Sequence, residues 1–343
     1  MSADVARAPA QEPALRGSLL RAEGLRIRSR RMVRVLLALG ALGLLGGIII
    51  ASTQFAKPSA AGLADAKVRA EQILSDSNRG RQQCLSSVGT PSGPPSKDQC
   101  GPPLTLQDIG GVEAFIDKRP FSLAVQGRGG VLGVAGAAAG LAFLIGATYV
   151  GAEWSSRSMV ALLFWEPRRR KVMATKVTVL VALTALLGAV AEAVWLAAAR
   201  LLATTRGTAA TPHGLWGELI GSAGRGVLLV VLVGLLGFGV ANLLRNTAAA
   251  LGVGFVYFAV VENALRVLRP RWQEWLITDN SVALLHHDGL RLFINDTVVD
   301  ARGGVQTSRL LHLTNLHGGL VMAAATAVVV LVGVVLFSRR DLD

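Results

Sequence analysis

Six apolar runs, each long enough to form a membrane-crossing helix, constrain this 343-residue chain more than any other feature. A helix needs about 20 residues to cross the roughly 30 Å hydrocarbon core of a bilayer. Lipid offers backbone polar groups no water to bond, so each run should be helical. The runs are residues 35–53, 129–150, 177–203, 219–244, 248–265 and 315–337. The sequence therefore predicts an all-α integral membrane protein with six transmembrane helices and two long extracytoplasmic loops.

The segments between the runs are polar and differ in length. The first is a basic tail, 1–34, which is either a short amphipathic helix on the membrane surface or a disordered segment. The long loops are 54–128 and 266–314, the short loop is 204–218, the connections are 151–176 and 245–247, and the closing tail is 338–343. This division predicts loops on one side of the membrane and connections on the other.

The charge distribution predicts which side is which. The net charge is +13, with eight basic residues in the tail 1–34 and six in the connection 151–176, against Arg206 alone in the short loop. Lys and Arg collect on the cytoplasmic side, where the lipids are anionic. We therefore expect a multi-pass protein of the plasma membrane with both termini cytoplasmic. The same explanation makes the lipid bilayer, and not nucleic acid, the partner of the basic residues.

The two cysteines of the chain, Cys84 and Cys100, lie in the same predicted outer loop. Disulfides persist in oxidising compartments, and the charge count places this loop outside. The sequence therefore predicts a disulfide between them.

The GxxxG pairs Gly43 with Gly47 and Gly136 with Gly140 lie in the apolar runs. Small residues at this spacing let helix backbones approach closely. Both pairs therefore permit close helix packing.

Polar side chains inside the spans form a second group of candidates. Glu192, Arg225, Glu262 and Asn263 all fall toward the outer halves of their predicted helices. Charges at membrane depth usually pair or line a cavity, which predicts an intramembrane polar cluster in which Glu192 or Glu262 neutralises Arg225. Arg225 could instead extend its guanidinium to the interface.

Motifs for catalysis are missing from the sequence. It has no GxxxxGK[ST] phosphate loop, no HExxH, no CxxC and no GxSxG. The histidine pairs 286–287 and 312–317 lack metal-ligand spacing on a helix, so they are interpreted as ordinary polar residues. The sequence predicts no enzyme activity, no bound cofactor and no metal in this chain.

The connection 151–176 has the pattern of a short helix on the membrane surface. Met159, Leu163 and Trp165 supply apolar area, and Pro167 should end the helix because it pushes the residue before it out of the α region. An amphipathic connector held by anionic lipid and a docking helix for a partner protein would both show this pattern.

The connection also resembles the one between the second and third spans of ABC-2-type transporter permeases. The matching positions are Glu153, Ser155–Ser158, Leu162, Leu163, Pro167, Arg168 and Lys176. Arg157 stands where the family often has glycine. The C-terminal Phe337, Arg339, Arg340 and Asp341, and the arginine-rich stretch 26–34, are similar to the same family.

The resemblance implies a permease subunit of an ATP-driven transporter, with export favoured over import. Such permeases form homodimers or heterodimers and bind a separate ABC ATPase, which carries the ATP and Mg²⁺. The residues expected to couple to that ATPase are Glu153, Ser158, Met159, Leu163, Trp165, Glu166, Pro167 and Arg168. A non-transporting membrane scaffold or sensor and a polytopic membrane enzyme are the alternative functions.

Overall fold

The structure is a computed structural model that describes residues 19–91, 93–156, 158–207, 212–300 and 303–339. At positions 160, 165, 295–300 and 303–307 it describes the backbone only. Most of the expected basic tail and the last four residues, including Arg340 and Asp341, lie outside the described residues, as does Arg157.

Helices make up most of the described chain, in the order that the apolar runs predict. They are α1 (Leu19–Ser29), α2 (Arg31–Gln54), α3 (Ala60–Ser87), α4 (Arg128–Ser155), α5 (Ser158–Trp165), α6 (Arg169–Arg206), α7 (Leu215–Leu244), α8 (Thr247–Val256), α9 (Glu262–Leu268), α10 (Ile277–Leu285) and α11 (Asn315–Arg339). Strands β1 (Leu290–Asp300) and β2 (Gly303–Leu313) stand between α10 and α11.

Six of these helical segments are long and apolar enough to cross a membrane. They are Arg31–Gln54, Leu123–Ser155, Arg169–Arg206, Leu215–Leu244, Thr247–Leu268 and Asn315–Arg339. The predicted number and order of long apolar helices are therefore confirmed. The third has 38 residues and, at 1.5 Å per residue, is roughly 57 Å long, which exceeds the roughly 30 Å needed to cross a hydrocarbon core.

Two spans are not regular α-helix throughout. A π-turn at Leu123–Gly127 precedes α4, and another at Tyr257–Val261 separates α8 from α9. At the second, the N–H of Glu262 bonds the carbonyl of Tyr257, five residues earlier. A π-turn holds one residue more than the α-helical turn it replaces.

The described chain divides into two compact units, the larger of which contains the described residues within the ranges Met1–Leu44, Gly130–Trp195 and Trp216–Asp343. In the larger unit, α4 and α7 approach closely at Gly146 and Gly237. A Cβ at Gly146 would lie 2.0 Å from the carbonyl oxygen of Gly234, and one at Gly237 would lie 2.4 Å from that of Phe143. Glycine is therefore required at both positions.

The close packing that the GxxxG pairs permit is not used within the described chain. A Cβ added at Gly43, Gly47, Gly136 or Gly140 would meet nothing within 4 Å. A neighbouring helix approaches α4 closely at Gly146 instead.

One end of the larger unit gathers the polar connections of the chain, and we call it the N-terminal face. The helix α1 lies there, next to the C-terminal ends of α4 and α11 and the start of α6. Ile27 of α1 shares a buried cluster with Met159 of α5, Met173 of α6 and Phe337 of α11. At the same face Arg169 donates to the carbonyl of Phe337 at 3.3 Å.

The smaller unit, Leu45–Gly129 with Leu196–Leu215, contains a helix that the sequence did not predict. Ser59 caps α3 by accepting from the N–H of Gly62. The disulfide between Cys84 and Cys100 joins the last turn of α3 to a 3₁₀ turn at Lys97–Cys100, which confirms the pairing. The sequence predicts a loop because the segment 54–128 is polar, and α3 buries little apolar surface; Ala66 and Ala70 are its buried residues.

The second long loop holds an antiparallel hairpin of β1 and β2, paired from Leu290 with Leu313 to Asp300 with Gly303. The expected all-α class describes the membrane helices but not this hairpin. The loop pattern LRLFINDTVVD alternates apolar and polar residues only in part, so the strand period was not recognised.

Candidate functional site at the N-terminal face

The connection between the second and third spans folds as predicted into a short helix. The helix α5 begins three residues after α4 ends at Ser155, and it ends at Trp165, two residues before Pro167. The N–H of Arg169 then bonds the carbonyl of Pro167 at 2.9 Å, which turns the chain into α6. The connection is therefore compact, with few residues outside helix.

Beneath this connection lies a buried ionic cluster that joins three helices. Lys176 of α6 is fully buried, and Glu153 of α4 and Glu23 of α1 are 1% and 2% exposed. The Nζ of Lys176 lies 2.7 Å from the Oε2 of Glu153 and 2.9 Å from the Oε2 of Glu23. The approach to Glu23 is a hydrogen bond, whereas the approach to Glu153 is an ion pair without hydrogen-bond geometry.

Two further side chains complete the cluster around these three charges. Arg30, which follows α1, pairs with Glu153 and donates to the backbone carbonyl of Tyr149 at 2.7 Å. The hydroxyl of Tyr149 donates to Glu23 at 2.8 Å. The Tyr149 ring lies 5.0 Å from the Lys176 ammonium and 5.3 Å from the Arg30 guanidinium, within cation–π range.

The charges of the cluster depend on one another. Burial alone would raise the pKa of Glu23, but Lys176, Tyr149 and Arg26 together hold it below its ordinary value of 4.5. Removing one partner from a buried ion pair typically costs about 3–5 kcal/mol, because the other charge stays buried without compensation. The cluster therefore fastens α1, α4 and α6 to each other.

The structure corrects two of the predicted coupling residues. Glu153 and Met159 were expected on a docking surface, but Met159 is fully buried and Glu153 lies within the ionic cluster. Pro167 and Arg168 are exposed, and Ser158, Leu163 and Glu166 are half-buried. The side chain of Trp165 lies outside the described side chains.

Phe164 on α5 is 85% exposed. It is not among the residues that the sequence predicts to couple to an ATPase. Charged groups lie close to Phe164 along the chain. Lys171 pairs with Glu166 at 2.6 Å, and its hydrogen bond holds the pKa of Glu166 below the usual range. The exposed surface of the connection is thus an apolar tip followed by a charged rim.

A second contact at the N-terminal face involves the end of α4 and the turn between α7 and α8. Trp154 donates its indole N–H to the side-chain oxygen of Asn242 at 3.2 Å, and Phe337 packs edge-on against its ring. The Arg245 guanidinium lies 4.7 Å from the centre of the Trp154 ring. The expected tight turn at residues 245–246 is present, with Arg245 at a positive φ of 52°.

The sequence contained one signal for the ionic cluster. Lys176 immediately precedes an apolar run, and a lone cation there requires an acid. Its partner Glu23 lies 153 residues away along the chain, in a tail whose other charges are mostly basic. No local pattern could identify that partner or the contribution of Tyr149.

The predicted intramembrane polar cluster does not form in the described chain. Arg225 donates to Ser222 at 2.8 Å, one turn away on its own helix, and Asn263 donates to the carbonyls of Phe258 and Ala259. Glu192 is 3% exposed, and neither of its oxygens has a hydrogen-bond partner among the described residues. The pairing of Arg225 with Glu192 or Glu262 is therefore wrong for this structure.

Glu262 has other partners, outside the predicted set. Its Oε2 lies 3.5 Å from Arg266, and its Oε1 accepts from the N–H of Thr278 at 3.1 Å. Arg266 also pairs with Asp279 at 2.9 Å. Burial raises the pKa of Asp279, which Arg266 only partly offsets. This group ties α9 to the start of α10.

An apolar cleft of about 390 Å³ lies between α4, α7, α8 and α10. Gly136 and Gly140 form part of its wall, which explains why these glycines contact no helix. The hydroxyl-bearing residues Thr278 and Ser281 lie at its α10 side. Such a cleft suits an apolar group and has no titratable side chain in its lining.

Beyond its ion pairs, the part of the chain that the structure describes contains no recognisable metal-binding group. Among the described residues, no three His, Cys, Asp or Glu side chains gather as a metal site. Comparison of the chain with family models, with curated proteins and with solved structures finds no match.

Proposed function

We propose that the chain is the membrane permease of an ABC-2-type, ATP-driven exporter, powered by a separate ATPase subunit. The observation that carries this proposal is the surface of α5, an exposed Phe164 next to the charged residues Glu166 and Arg168, on a helix fastened to two spans. In this proposal the N-terminal face is cytoplasmic, as the basic residues favour.

The exposed tip suits insertion into a partner. An aromatic anchor inside a polar rim is the usual form of an interface hot spot, and a short helix can present it to a groove. An ATPase that closes on ATP would then displace α5 through Phe164. The chain has no phosphate-binding loop in its sequence, so ATP-driven motion would have to enter from such a partner.

The buried ionic cluster supplies the path for that displacement. Glu153 precedes α5 and Lys176 follows it, so the ion pair between them closes the connection into a loop at its base. Met159 packs into the core beneath α5. A displacement of α5 would therefore move α4 and α6 with it and would not merely bend the connection between them.

The test is to replace Phe164 with Asp and to replace Leu104, an exposed leucine of the smaller unit, with Asp as the control. Phe164 is preferable to Leu163, because Leu163 packs partly against the buried core and its loss could affect folding. Each variant is purified from native membranes, and co-purifying proteins with a phosphate-binding loop are identified and assayed for ATP hydrolysis.

We expect the unaltered chain and Leu104→Asp to retain an ABC ATPase and Phe164→Asp to lose it at least tenfold. Thermal unfolding of the purified permease should be the same for all three. The proposal fails if no ATPase accompanies the unaltered chain, in which case a scaffold or sensor role is favoured. It also fails if Phe164→Asp retains the ATPase at full level.

A further inference from the structure

The apolar cleft between α4, α7, α8 and α10 has a volume of about 390 Å³, which lies within the range of pockets that hold one small ligand. Glycines on α4 keep it open, because a Cβ at Gly136 or Gly140 would meet nothing within 4 Å. Its wall carries the hydroxyl of Ser281, which already donates to the carbonyl of Ile277 at 2.7 Å. The described residues of the wall therefore offer an occupant mainly apolar contacts.

An empty cleft of this kind is unfavourable. Protein interiors are close-packed, and side chains beside a void lose their dispersion contacts on that side. Water fills such a space poorly, because a buried water needs roughly two to four polar partners. The working protein therefore holds an apolar occupant in the cleft.

The cleft opens toward the bilayer at α8. Phe255 and Phe258 line the cleft and are 71% and 39% exposed. The neighbouring side chains Val253 and Val256 are exposed as well. Apolar side chains exposed on a membrane helix face the lipid tails, so an occupant enters the cleft sideways from the bilayer interior.

The depth and the width of the cleft fit an acyl chain. Gly140 lies near the middle of the apolar run 129–150, at a level of the bilayer that headgroups do not reach. The helices α4 and α8 touch along the cleft, where a Cβ at Gly254 would lie 2.7 Å from the Phe143 ring. A helix with its side chains is about 10 Å across, so it cannot enter between helices that touch, whereas one unbranched hydrocarbon chain can.

We propose that the cleft is a lipid site, occupied by one acyl chain of a membrane phospholipid. The chain lies against the bare backbone at Gly136 and Gly140 and bridges α4 to α8 and α10. The site goes beyond the proposed transport function and does not depend on an ATPase.

The test uses the purified full-length chain in nanodiscs of phosphatidylcholine that carries a photoactivatable diazirine near the end of one acyl chain. Light expels N₂ from the diazirine and leaves a carbene, which inserts into the nearest side chain, and mass spectrometry of peptides identifies that residue. Val233 of α7 and Ser281 of α10 are half-buried in the cleft wall, whereas Val328 of α11 is 60% exposed and lies outside the cleft. We expect all three to be labelled in the unaltered chain.

The variant Gly140→Leu should fill the cleft, since its Cβ projects into open space and does not displace the backbone. The matched control is Gly133→Leu on the same helix, where a Cβ also meets nothing within 4 Å but the position does not line the cleft. We expect Gly140→Leu to lose the labelling of Val233 and Ser281 and to keep that of Val328. Gly133→Leu should be labelled like the unaltered chain.

Labelling of Val328 without Val233 and Ser281 in the unaltered chain would overturn the proposal, and this result does not depend on how any variant folds. Labelling of the cleft wall that persists at full level in Gly140→Leu would overturn it too. If Phe255→Cys joins two copies by a disulfide while the cleft wall stays unlabelled, the open side of the cleft belongs to a second copy of the chain instead.

Discussion

Glu153 at the N-terminal face and Glu192 within the third span are buried to nearly the same degree, yet their surroundings differ. Glu153 lies between Lys176 and Arg30, with a second acid, Glu23, sharing the lysine. Glu192 packs against Gly226 of α7, where its Oε1 would lie 3.0 Å from an added Cβ. One carboxylate holds helices together, and the other only occupies space between them.

The comparison teaches that burial of a charge does not by itself indicate a functional cluster. Glu192, Arg225 and Glu262 were grouped because all three are ionisable and lie at similar depth. The structure separates them, whereas Glu23 meets Glu153 and Lys176, which lie more than 120 residues away in the connection 151–176. The two regions therefore differ in whether a buried charged side chain has partners, and not in how deeply it is buried.

The largest effect should follow from removing the central cation. Lys176→Met strands Glu23 and Glu153 without their shared partner, which should destabilise the protein by about 3–5 kcal/mol. Thermal unfolding in detergent measures this. The matched control is Lys171→Met, whose pair with Glu166 is half exposed and should cost less than about 1 kcal/mol. Similar losses of stability for both variants would show that the buried cluster contributes no more than an exposed ion pair.

A smaller loss is expected from neutralising one acid. Glu23→Gln keeps the shape but loses charge-assisted bonds to Lys176 and Arg26, at a cost of about 1–3 kcal/mol. Because the folded pKa of Glu23 lies below 4.5, its contribution is present above the unfolded pKa and is lost as pH falls through the folded value. The thermal unfolding midpoint should fall as pH drops below about 4.5, and Glu23→Gln should weaken that dependence.

How much of this could be read from the sequence depends on the range of the interactions. Runs such as 219–244 identify their helices because apolarity over 20 residues is a local property. Pro167 ends α5 for an equally local reason. The burial of Glu153 depends on Arg30 and the helix before it, more than 120 residues away in sequence. Such contacts leave no periodic pattern, so the connection was predicted and its inner and outer sides were not.

In contrast to the changes in the ionic cluster, Glu192→Gln should have little effect on the stability of the protein. The carboxyl group has no hydrogen-bond partner to lose among the described residues, so a neutral amide should change stability by less than about 1 kcal/mol or increase it. The same unfolding assay applies. A loss as large as that of Lys176→Met would show that Glu192 has a partner in the folded protein, and the contrast between the two regions would disappear.

The smallest effect concerns coupling between Glu192 and Arg225. Since no ion pair joins them, the costs of Glu192→Gln and Arg225→Gln should add within about 0.5 kcal/mol in a double-mutant cycle. The cycle of Glu23→Gln with Lys176→Met serves as the positive control and should be strongly non-additive. A coupling energy above about 1 kcal/mol between Glu192 and Arg225 would support the ion pair that the sequence predicts and contradict the structure.

The π-turn at Tyr257–Val261 sets the rotational phase of everything that follows it in the fifth span. One residue corresponds to about 100° of helix rotation. If the same residues wound as a regular α-helix, α9 would be rotated relative to α8, and Glu262 would turn away from the N–H of Thr278. The irregular turn therefore changes the direction of the side chains that follow it. The first half of the span keeps its packing against the other helices, and the second half points Glu262 at α10.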